Sequence, residues 1–162
     1  MTKNLTFILL TLLLTACGKL PSNGDLDGKW MLTAQYTKPS TDSPTYSDYT
    51  DKRDAGISWN VQLDLLSITA PVPLHEDTSE LQLGKSHEVV CRFNHEGSTL
   101  HLTQIFWHYR AHDIAITPEE LETSPLSTVG IHQGGTDFQV LQLSSNRMVL
   151  CSETDSLIFK KI

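Results

Sequence analysis

The sequence has few of the features that nucleic-acid-binding and membrane-spanning proteins need. Its 162 residues carry 12 basic and 19 acidic side chains, for a formal net charge of −7. The densest basic pairs are Lys52 with Arg53 and Lys160 with Lys161, so the clustered positive charge that binds nucleic acid phosphates is lacking. The longest apolar run, residues 5–16, is shorter than the roughly 20 residues that cross a bilayer as a helix. We therefore expect no nucleic acid partner and no transmembrane helix.

Motifs of catalysis and metal binding are also missing from the sequence. His75, His87 and His95 each precede a glutamate, but none has the second histidine four residues later that a zinc-protease helix needs. There is no Gly-x-Ser-x-Gly elbow and no glycine-rich loop that opens a helix to hold phosphate. The sequence therefore predicts a non-catalytic protein without metal site or cofactor. A small metal-assisted hydrolase, with histidines brought together by folding, is the least favoured alternative.

Residues 1–26 have the composition of an export signal followed by a short tether. Lys3 precedes the apolar run 5–16, whose length matches the hydrophobic region of a secretory signal. The run ends in Leu-Thr-Ala-Cys at residues 14–17, which resembles the lipobox of bacterial lipoproteins. The resemblance implies cleavage before Cys17 and a lipid on its sulfur. An ordinary signal peptide with a nearby cysteine is the alternative.

This resemblance predicts how the chain is divided and where it is anchored. We expect a signal peptide at residues 1–16, a lipidated tether at 17–26 and one folded domain at 27–162. Several acyl chains, at about 0.8 kcal/mol per buried CH₂, hold a protein permanently at a membrane surface. Gly18 and Lys19 after the cysteine lack the aspartate that retains some lipoproteins at the inner membrane. The resemblance therefore implies anchoring in the bacterial cell envelope, at the outer membrane, facing the periplasm or the exterior.

Most of residues 27–162 alternates apolar and polar side chains, the pattern of half-buried strands. The clearest series begin at Trp30 and Trp59, and the second changes parity near Leu65, which predicts a bulge or bend there. Hairpin turns are predicted at residues 94–97, at Gly134-Gly135 after a strand at 129–133, and at 144–146. Eight or nine short strands joined in this way predict an antiparallel barrel or sandwich.

One short helix is predicted near residues 118–123. Thr117 offers a cap, Pro118 occupies the first helical position, and Glu120 completes a capping box. Long polar stretches at 37–55 and 70–86 interrupt the strands, and loops of this length often border binding sites.

Two cysteines remain if Cys17 is lipidated. In an exported protein Cys91 and Cys151 can form a disulfide or stay as separate thiols. Cys91 shares a strand face with the apolar Val89, whereas Cys151 lies opposite to the face of Leu150. Strand parity therefore favours separate thiols.

The order of several short motifs is similar to that of small lipocalin-like bacterial lipoproteins of uncharacterised function. Gly-Lys-Trp at 28–30 resembles the Gly-x-Trp that opens lipocalin-type barrels. Trp-His-Tyr-Arg at 107–110, Met-Val-Leu at 148–150 and a closing strand at 157–161 follow in the expected order. The resemblance implies an all-β, antiparallel, up-and-down barrel of eight strands that can hold a ligand cavity. Lipocalins pack a late arginine against the first-strand tryptophan, and here Lys160 and Lys161 are the candidates for that position.

Aromatic side chains are the best candidates for a binding site. Trp59, Phe93, Phe106, Trp107 and Tyr109 lie in predicted strands, and Phe106 and Trp107 must point to opposite faces of one strand. Only one face of the strand can point into the core, so the aromatic side chains on the other face indicate an apolar pocket or a contact patch. The alternative is that these side chains simply fill a small barrel.

Together these features predict a membrane-anchored, non-catalytic, lipocalin-like protein. It would bind a small apolar or amphipathic ligand in the barrel, against Trp59, Phe93 and Phe106, with residues 37–55 at the opening. The alternative is an interaction module of the cell envelope that docks a protein or glycan through its long loops.

Overall fold

The computed structural model describes residues 23–40, 42–132 and 136–162. The predicted signal peptide, Cys17 and most of the predicted tether lie outside the described residues, as do Gly134 and Gly135. Among the residues that are described, no helix is long and apolar enough to cross a membrane.

The described residues form short strands, one α-helix and two 3-10 turns. The strands are β1 (Gly28–Thr37), β2 (Asp48–Asp51), β3 (Ser58–Gln62), β4 (Leu65–Thr69), β5 (His75–Asp77), β6 (Gly84–Ser86), β7 (Glu88–Glu96), β8 (Thr99–His108), β9 (Asp113–Ala115), β10 (Asp137–Leu143), β11 (Arg147–Cys151) and β12 (Asp155–Lys161). The helix is α1 (Pro118–Thr123), and the 3-10 turns are Gly24–Leu26 and Pro125–Val129.

Eight of these strands close into an antiparallel barrel. Their order is β1-β3-β4-β7-β8-β10-β11-β12, and β12 pairs back to β1. β2 extends the β1 edge, β9 extends the β8 edge, and β5 with β6 forms a separate hairpin. The predicted all-β, eight-stranded, up-and-down barrel with one short helix is therefore confirmed. The helix begins with the predicted capping box, in which Glu120 donates its backbone N–H to Thr117 Oγ1 and accepts the Thr117 N–H.

One predicted turn lies elsewhere than expected, and the feature predicted as a bulge or bend near Leu65 is a turn. The parity change near Leu65 is not a bulge, because a two-residue turn at Leu63 and Asp64 separates β3 from β4. Residues 94–96, predicted as part of a turn, continue β7 up to a tight hairpin at Gly97 and Ser98.

The predicted strand at 129–133 is wrong in the described residues 129–132. Val129 ends a 3-10 turn, Gly130 has a left-handed φ of 88°, and Val129 and Ile131 are fully buried. Val129 and Ile131 alternate with polar or small residues because each packs into the core, one on each side of the bend at Gly130. β10 pairs with β8 instead, where Phe138 lies opposite Leu100.

The barrel has two ends, which we name by their connections. The tether end carries the β3–β4, β7–β8 and β10–β11 turns and the 3-10 turn Gly24–Leu26, through which the chain reaches β1. The mouth carries the longer connections 38–57, 70–87, 109–136 and the turn 152–154.

Large aromatic side chains fill the barrel between its two ends. Trp30, Trp59, Phe138 and Phe159 are buried, and the Trp59 ring lies 5.6 Å from Phe138 and 5.0 Å from Phe159. Burial of such rings is the largest source of stability in a small barrel.

Lys161 takes the position over the first-strand tryptophan. Its Nζ lies 4.8 Å from the centroid of the Trp30 ring and donates a hydrogen bond to the Asp25 carbonyl at 2.9 Å. Trp30 in turn donates its indole N–H to the Leu26 carbonyl at 2.8 Å. Of the two predicted candidates, the lysine at 161 and not Lys160 therefore makes the cation–π contact.

Cys91 and Cys151 are free thiols, as strand parity favours. Cys91 is fully buried inside the barrel, and burial raises the pKa of its thiol.

Candidate functional site

The mouth of the barrel is covered by residues 125–132, which we call the mouth segment. Leu126, Val129 and Ile131 are fully buried. The Val129 carbonyl accepts the indole N–H of Trp59 at 3.2 Å, which ties the segment to the centre of the core. The Thr128 carbonyl accepts a hydrogen bond from Lys52 Nζ at 3.0 Å. The segment therefore packs into the mouth as part of the core.

A buried carboxylate fixes the mouth segment to β1 and β12. Asp155 is fully buried and accepts hydrogen bonds of 2.8 Å from Gln35 Nε2, Thr37 Oγ1 and Thr154 Oγ1. His132 Nε2, at the end of the mouth segment, lies 2.5 Å from Oδ2, the oxygen that also accepts from Thr154. Gln35 and Thr37 donate to Oδ1 instead. Burial alone would raise the pKa of Asp155, but the contacts with these four side chains outweigh it and lower the pKa to about 2.

Three of the predicted ligand residues are part of the closed interior. Trp59 lies at its centre, and Trp107 and Tyr109 lie near the mouth, below the β5–β6 hairpin. His75 of that hairpin stacks on Trp107 with ring centroids 4.6 Å apart, and its Nδ1 hydrogen-bonds to the Tyr109 hydroxyl. The buried indole N–H of Trp107 has no hydrogen-bond partner among the described residues.

Phe106 lies on the outer surface of the barrel. Ile105 and Trp107, its neighbours on β8, are buried, whereas Phe106 is half-buried and borders a shallow depression with Leu65 and Val90. The expectation that Phe106 lines the interior together with Trp59 does not fit this geometry. Its role in binding stays a prediction, restricted to a ligand on the outer face.

An open cleft lies at the tether end, beside the fifth predicted residue, Phe93. Its volume is about 440 Å³. The apolar wall consists of Phe93 and Leu63, and the polar rim consists of Asn23, Asp64, Asn94, His95 and Glu96. The cleft therefore combines an apolar surface with several polar groups.

Hydrogen bonds hold the wall of the cleft in place. Leu63 has a left-handed φ of 59°, rare for a residue with a side chain, and its carbonyl accepts a 2.7 Å hydrogen bond from Asn23 Nδ2. The Asp64 carbonyl accepts the backbone N–H of Phe93 at 3.2 Å, and its carboxylate pairs with Arg92. The two turns that form the cleft are therefore fixed relative to each other before any ligand binds.

Other polar groups of the rim stay available for a ligand. Within the described part of the chain, the side chains of Asn94 and Glu96 and the His95 ring make no hydrogen bond to another residue. They supply a carboxylate, an amide and an imidazole next to an apolar wall. Metal binding has no comparable basis, because the described residues contain no cluster of three or more potential ligands.

Of the cleft residues, the sequence singles out only Phe93 as a ligand contact. Asn94, His95 and Glu96 have the composition of a turn, and Leu63 continues a strand pattern, so neither suggests a site. The positive φ of Leu63 cannot be predicted from the sequence, because leucine is not typical of that conformation. The sequence does show that His95 and Glu96 follow Phe93 closely on one strand.

The match to a protein-family model agrees with the architecture. A family model described as a lipocalin-like domain matches residues 12–162. No curated protein is significantly similar to the chain. A crystal structure of a lipocalin-like protein from Bacteroides uniformis is 21% identical, covers 86% of this chain and 100% of that chain, and has a TM-score of 0.49. An uncharacterized protein from Bacteroides eggerthii is 15% identical over 84% of this chain and 98% of that chain, with a TM-score of 0.48.

Proposed function

This chain belongs to the family of lipocalin-like domains, and we propose that it is a membrane-anchored, non-catalytic protein that binds a small amphipathic ligand in the cleft at its tether end. The lipocalin-like fold is in general a binding fold without catalysis. The observation that carries the proposal is the open cleft, in which Phe93 and Leu63 adjoin polar groups that no described residue engages. Its volume of about 440 Å³ falls within the usual range for small-molecule sites.

The filled interior argues for this end of the barrel. Trp59 and its aromatic neighbours occupy the centre, and the mouth segment is bonded to them. A ligand entering there would first have to break the contacts of Asp155 and expose Leu126, Val129 and Ile131. At the tether end the cleft is open without such a rearrangement, and its apolar wall is the half-buried Leu63 together with Phe93, which is 5% exposed.

The rim indicates the chemistry of the ligand. Glu96 contributes an unpaired carboxylate to the rim, whereas the carboxylate of Asp64 is paired with Arg92, so the free charge of the rim is negative. A matching ligand has an apolar body for Phe93 and Leu63 and a donor or positively charged head for Glu96.

Anchoring through Cys17 is supported by the resemblance of Leu-Thr-Ala-Cys at residues 14–17 to a lipobox. Asn23 borders the cleft and follows Cys17 by six residues, so a fully extended chain of about 3.5 Å per residue spans roughly 20 Å. The tether would then limit the distance between the cleft and the membrane surface.

The proposal is tested with dansylcadaverine, a fluorescent amphiphile with an apolar ring and an ammonium head. Leu63→Asn removes the apolar side chain at a position where asparagine tolerates the positive φ. We expect its affinity for the probe to fall about tenfold, the loss of roughly 1.4 kcal/mol of apolar contact. Fluorescence titration measures the affinity, and native mass spectrometry of protein extracted from its host's membranes would identify the natural ligand.

Leu65→Asn is the matched control, because Leu65 is an exposed leucine two residues away that does not border the cleft. Its affinity should match that of the wild type. The proposal is wrong if both variants bind the probe as the wild type does, or if both lose binding equally. Glu96→Gln should weaken binding of dansylcadaverine and leave the anionic analogue dansylglycine unaffected.

A further inference from the structure

Three basic side chains meet on the outer face of the barrel at the tether end. Lys160 of β12 lies directly opposite Arg147 of β11 on one side and Met31 of β1 on the other. Lys29, two residues before Met31, is a diagonal neighbour of Lys160, and its carbonyl accepts the backbone N–H of Ile162. We call Lys29, Arg147 and Lys160 the basic face.

No carboxylate within the described ranges forms an ion pair with the basic face. Arg147 donates its Nε–H to Gln142 Oε1 at 3.0 Å, a neutral partner. Like charges directly opposite each other on neighbouring strands, as Arg147 and Lys160 are, destabilise a sheet. The chain has 19 acidic side chains, yet none of those described is placed to neutralise Arg147 or Lys160. The pairing of Arg147 with Lys160 is therefore unfavourable in the isolated domain, and a negatively charged partner would relieve it.

Apolar side chains lie around this positive charge. Met31, Val149 and Ile158 are half-buried on the outer surfaces of the same strands. Leu141, the neighbour of Gln142, is 67% exposed. A surface that combines exposed apolar and basic side chains matches the boundary between lipid headgroups and acyl chains.

The Glu96 side of the cleft lies half the circumference of the barrel away from Lys160. β12, which carries Lys160, and β7, which carries Glu96 of the cleft rim, lie four strands apart in the ring of eight. A negatively charged membrane attracts the first flank and repels the second. Since the surface potential acts only within about a Debye length, roughly 8 Å at physiological salt, the net charge of the whole chain does not cancel this preference.

We propose that the basic face binds the anionic lipid headgroups of the membrane in which the chain is anchored, so that the barrel lies on this flank with the Glu96 side of its cleft directed away from the surface. The inference rests on the proposed anchoring, since the tether leaves the barrel at the same end as the basic face. The tether supplies proximity, and the basic face supplies orientation. Each basic residue near such a surface strengthens binding about fivefold, so the three together favour this orientation on the order of 100-fold.

The experiment measures how fast each lysine of the full lipidated chain is acetylated on vesicles. The chain is reconstituted in pure phosphatidylcholine and in a 7:3 mixture of phosphatidylcholine and phosphatidylglycerol, and mass spectrometry reads each site. We expect acetylation of Lys29 and Lys160 to slow at least fivefold on the anionic vesicles and to recover in 0.5 M salt. Lys85 of the β5–β6 hairpin at the mouth should react equally on both. Equal rates for Lys29 and Lys160 on both vesicles would overturn the proposal.

A charge-reversed variant separates orientation from folding. Arg147→Glu with Lys160→Glu again places like charges opposite each other, so the sheet pairing is equally disfavoured in the variant. Protection of Lys29 on anionic vesicles should disappear in this variant and persist in Lys85→Glu. Persistence in the double variant would contradict the proposal.

A second arm distinguishes failure of the basic face from failure of the anchor. A hexahistidine replaces residues 1–16, Cys17 is changed to alanine, and nickel-chelating lipid holds the chain on both vesicle types. Protection of Lys29 and Lys160 here supports the basic face even if the natural chain proves not to be lipidated. Its absence in this arm refutes the basic face while leaving the anchor intact.

Discussion

The two ends of the barrel differ in where polar groups are placed. At the mouth, long connections fold back over the strands, and the carboxylate of Asp155 is fully buried with four partners. At the tether end the strands are joined by short turns, and Glu96, Lys29 and Lys160 stay free of ion pairs within the described residues. The buried carboxylate cluster therefore belongs to one end, and exposed charged side chains without ion pairs in the described part of the chain belong to the other.

This contrast reverses a common expectation about loops. Long loops are where binding sites are usually sought, yet here residues 37–55 and 70–86 contribute β2 and the β5–β6 hairpin to the covering of the mouth. Stability gained at that end can hold the short turns of the other end rigid, including the left-handed Leu63. We infer that the mouth stabilises the fold and the tether end is left for recognition. Substitutions at the mouth should then cost more stability than equivalent ones at the tether end.

The largest effect is expected from Asp155→Ala. Removing the carboxylate leaves Gln35, Thr37 and Thr154 with buried donors and His132 without its partner. Breaking a buried polar cluster from one side costs about 3–5 kcal/mol of the free energy of unfolding. Urea denaturation at pH 7, followed by tryptophan fluorescence, measures the difference.

Asp113→Ala is the matched control, because Asp113 pairs with His108 at 2.7 Å while half-exposed. Exposed pairs contribute less than about 1 kcal/mol. The contribution of Asp155 also depends on pH. The pKa of Asp155 is lowered from 3.8 to about 2, so its contribution is complete above pH 4 and is lost as the pH falls toward 2. If the free energy of unfolding of Asp155→Ala fell between pH 4 and pH 2 as much as that of the wild type, this assignment would be contradicted.

Gly130→Ala should have the next largest effect. Gly130 has a φ of 88°, and a Cβ there would lie 2.4 Å from Leu157 Cδ1 inside the core. Left-handed strain and overpacking each cost about 1–2 kcal/mol, so we expect a loss of about 2–4 kcal/mol. At the tether end, Gly97 has a φ of 58°, but a Cβ there would meet no described atom within 4 Å. Gly97→Ala should therefore cost only about 1 kcal/mol, and equal losses in the two variants would contradict the difference between the ends.

Local patterns in the sequence were sufficient to predict most of the architecture. Period-two alternation from Trp30 and Trp59 indicated the strands, and the Thr117, Pro118 and Glu120 combination indicated the only α-helix in the described residues. These signals are local because a strand or a helix cap is determined by neighbouring residues. The alternation of Val129 and Ile131 misled for the same reason, since a bent segment packed into a core can bury every second residue without pairing as a strand.

The cleft and the basic face were not predictable in this way. The cleft requires the turn at Leu63 to meet Asn94, His95 and Glu96, and the basic face requires Lys29 to lie beside Lys160. Both depend on the register between strands that are distant in sequence. Closure of the barrel sets that register, and no single segment encodes it.

The smallest effect is expected at the tether end, from Lys161→Gln. The variant loses the cation–π contact with Trp30, while the glutamine amide can still donate a hydrogen bond to the Asp25 carbonyl. Cation–π contacts at exposed sites contribute about 0.5–1 kcal/mol, so urea denaturation should show a loss within that range. Lys161→Arg retains a cation that stacks well on an indole ring and should match the wild type. A loss of several kcal/mol in Lys161→Gln would show that the tether end contributes as much to stability as the mouth, and would remove the difference between the two ends.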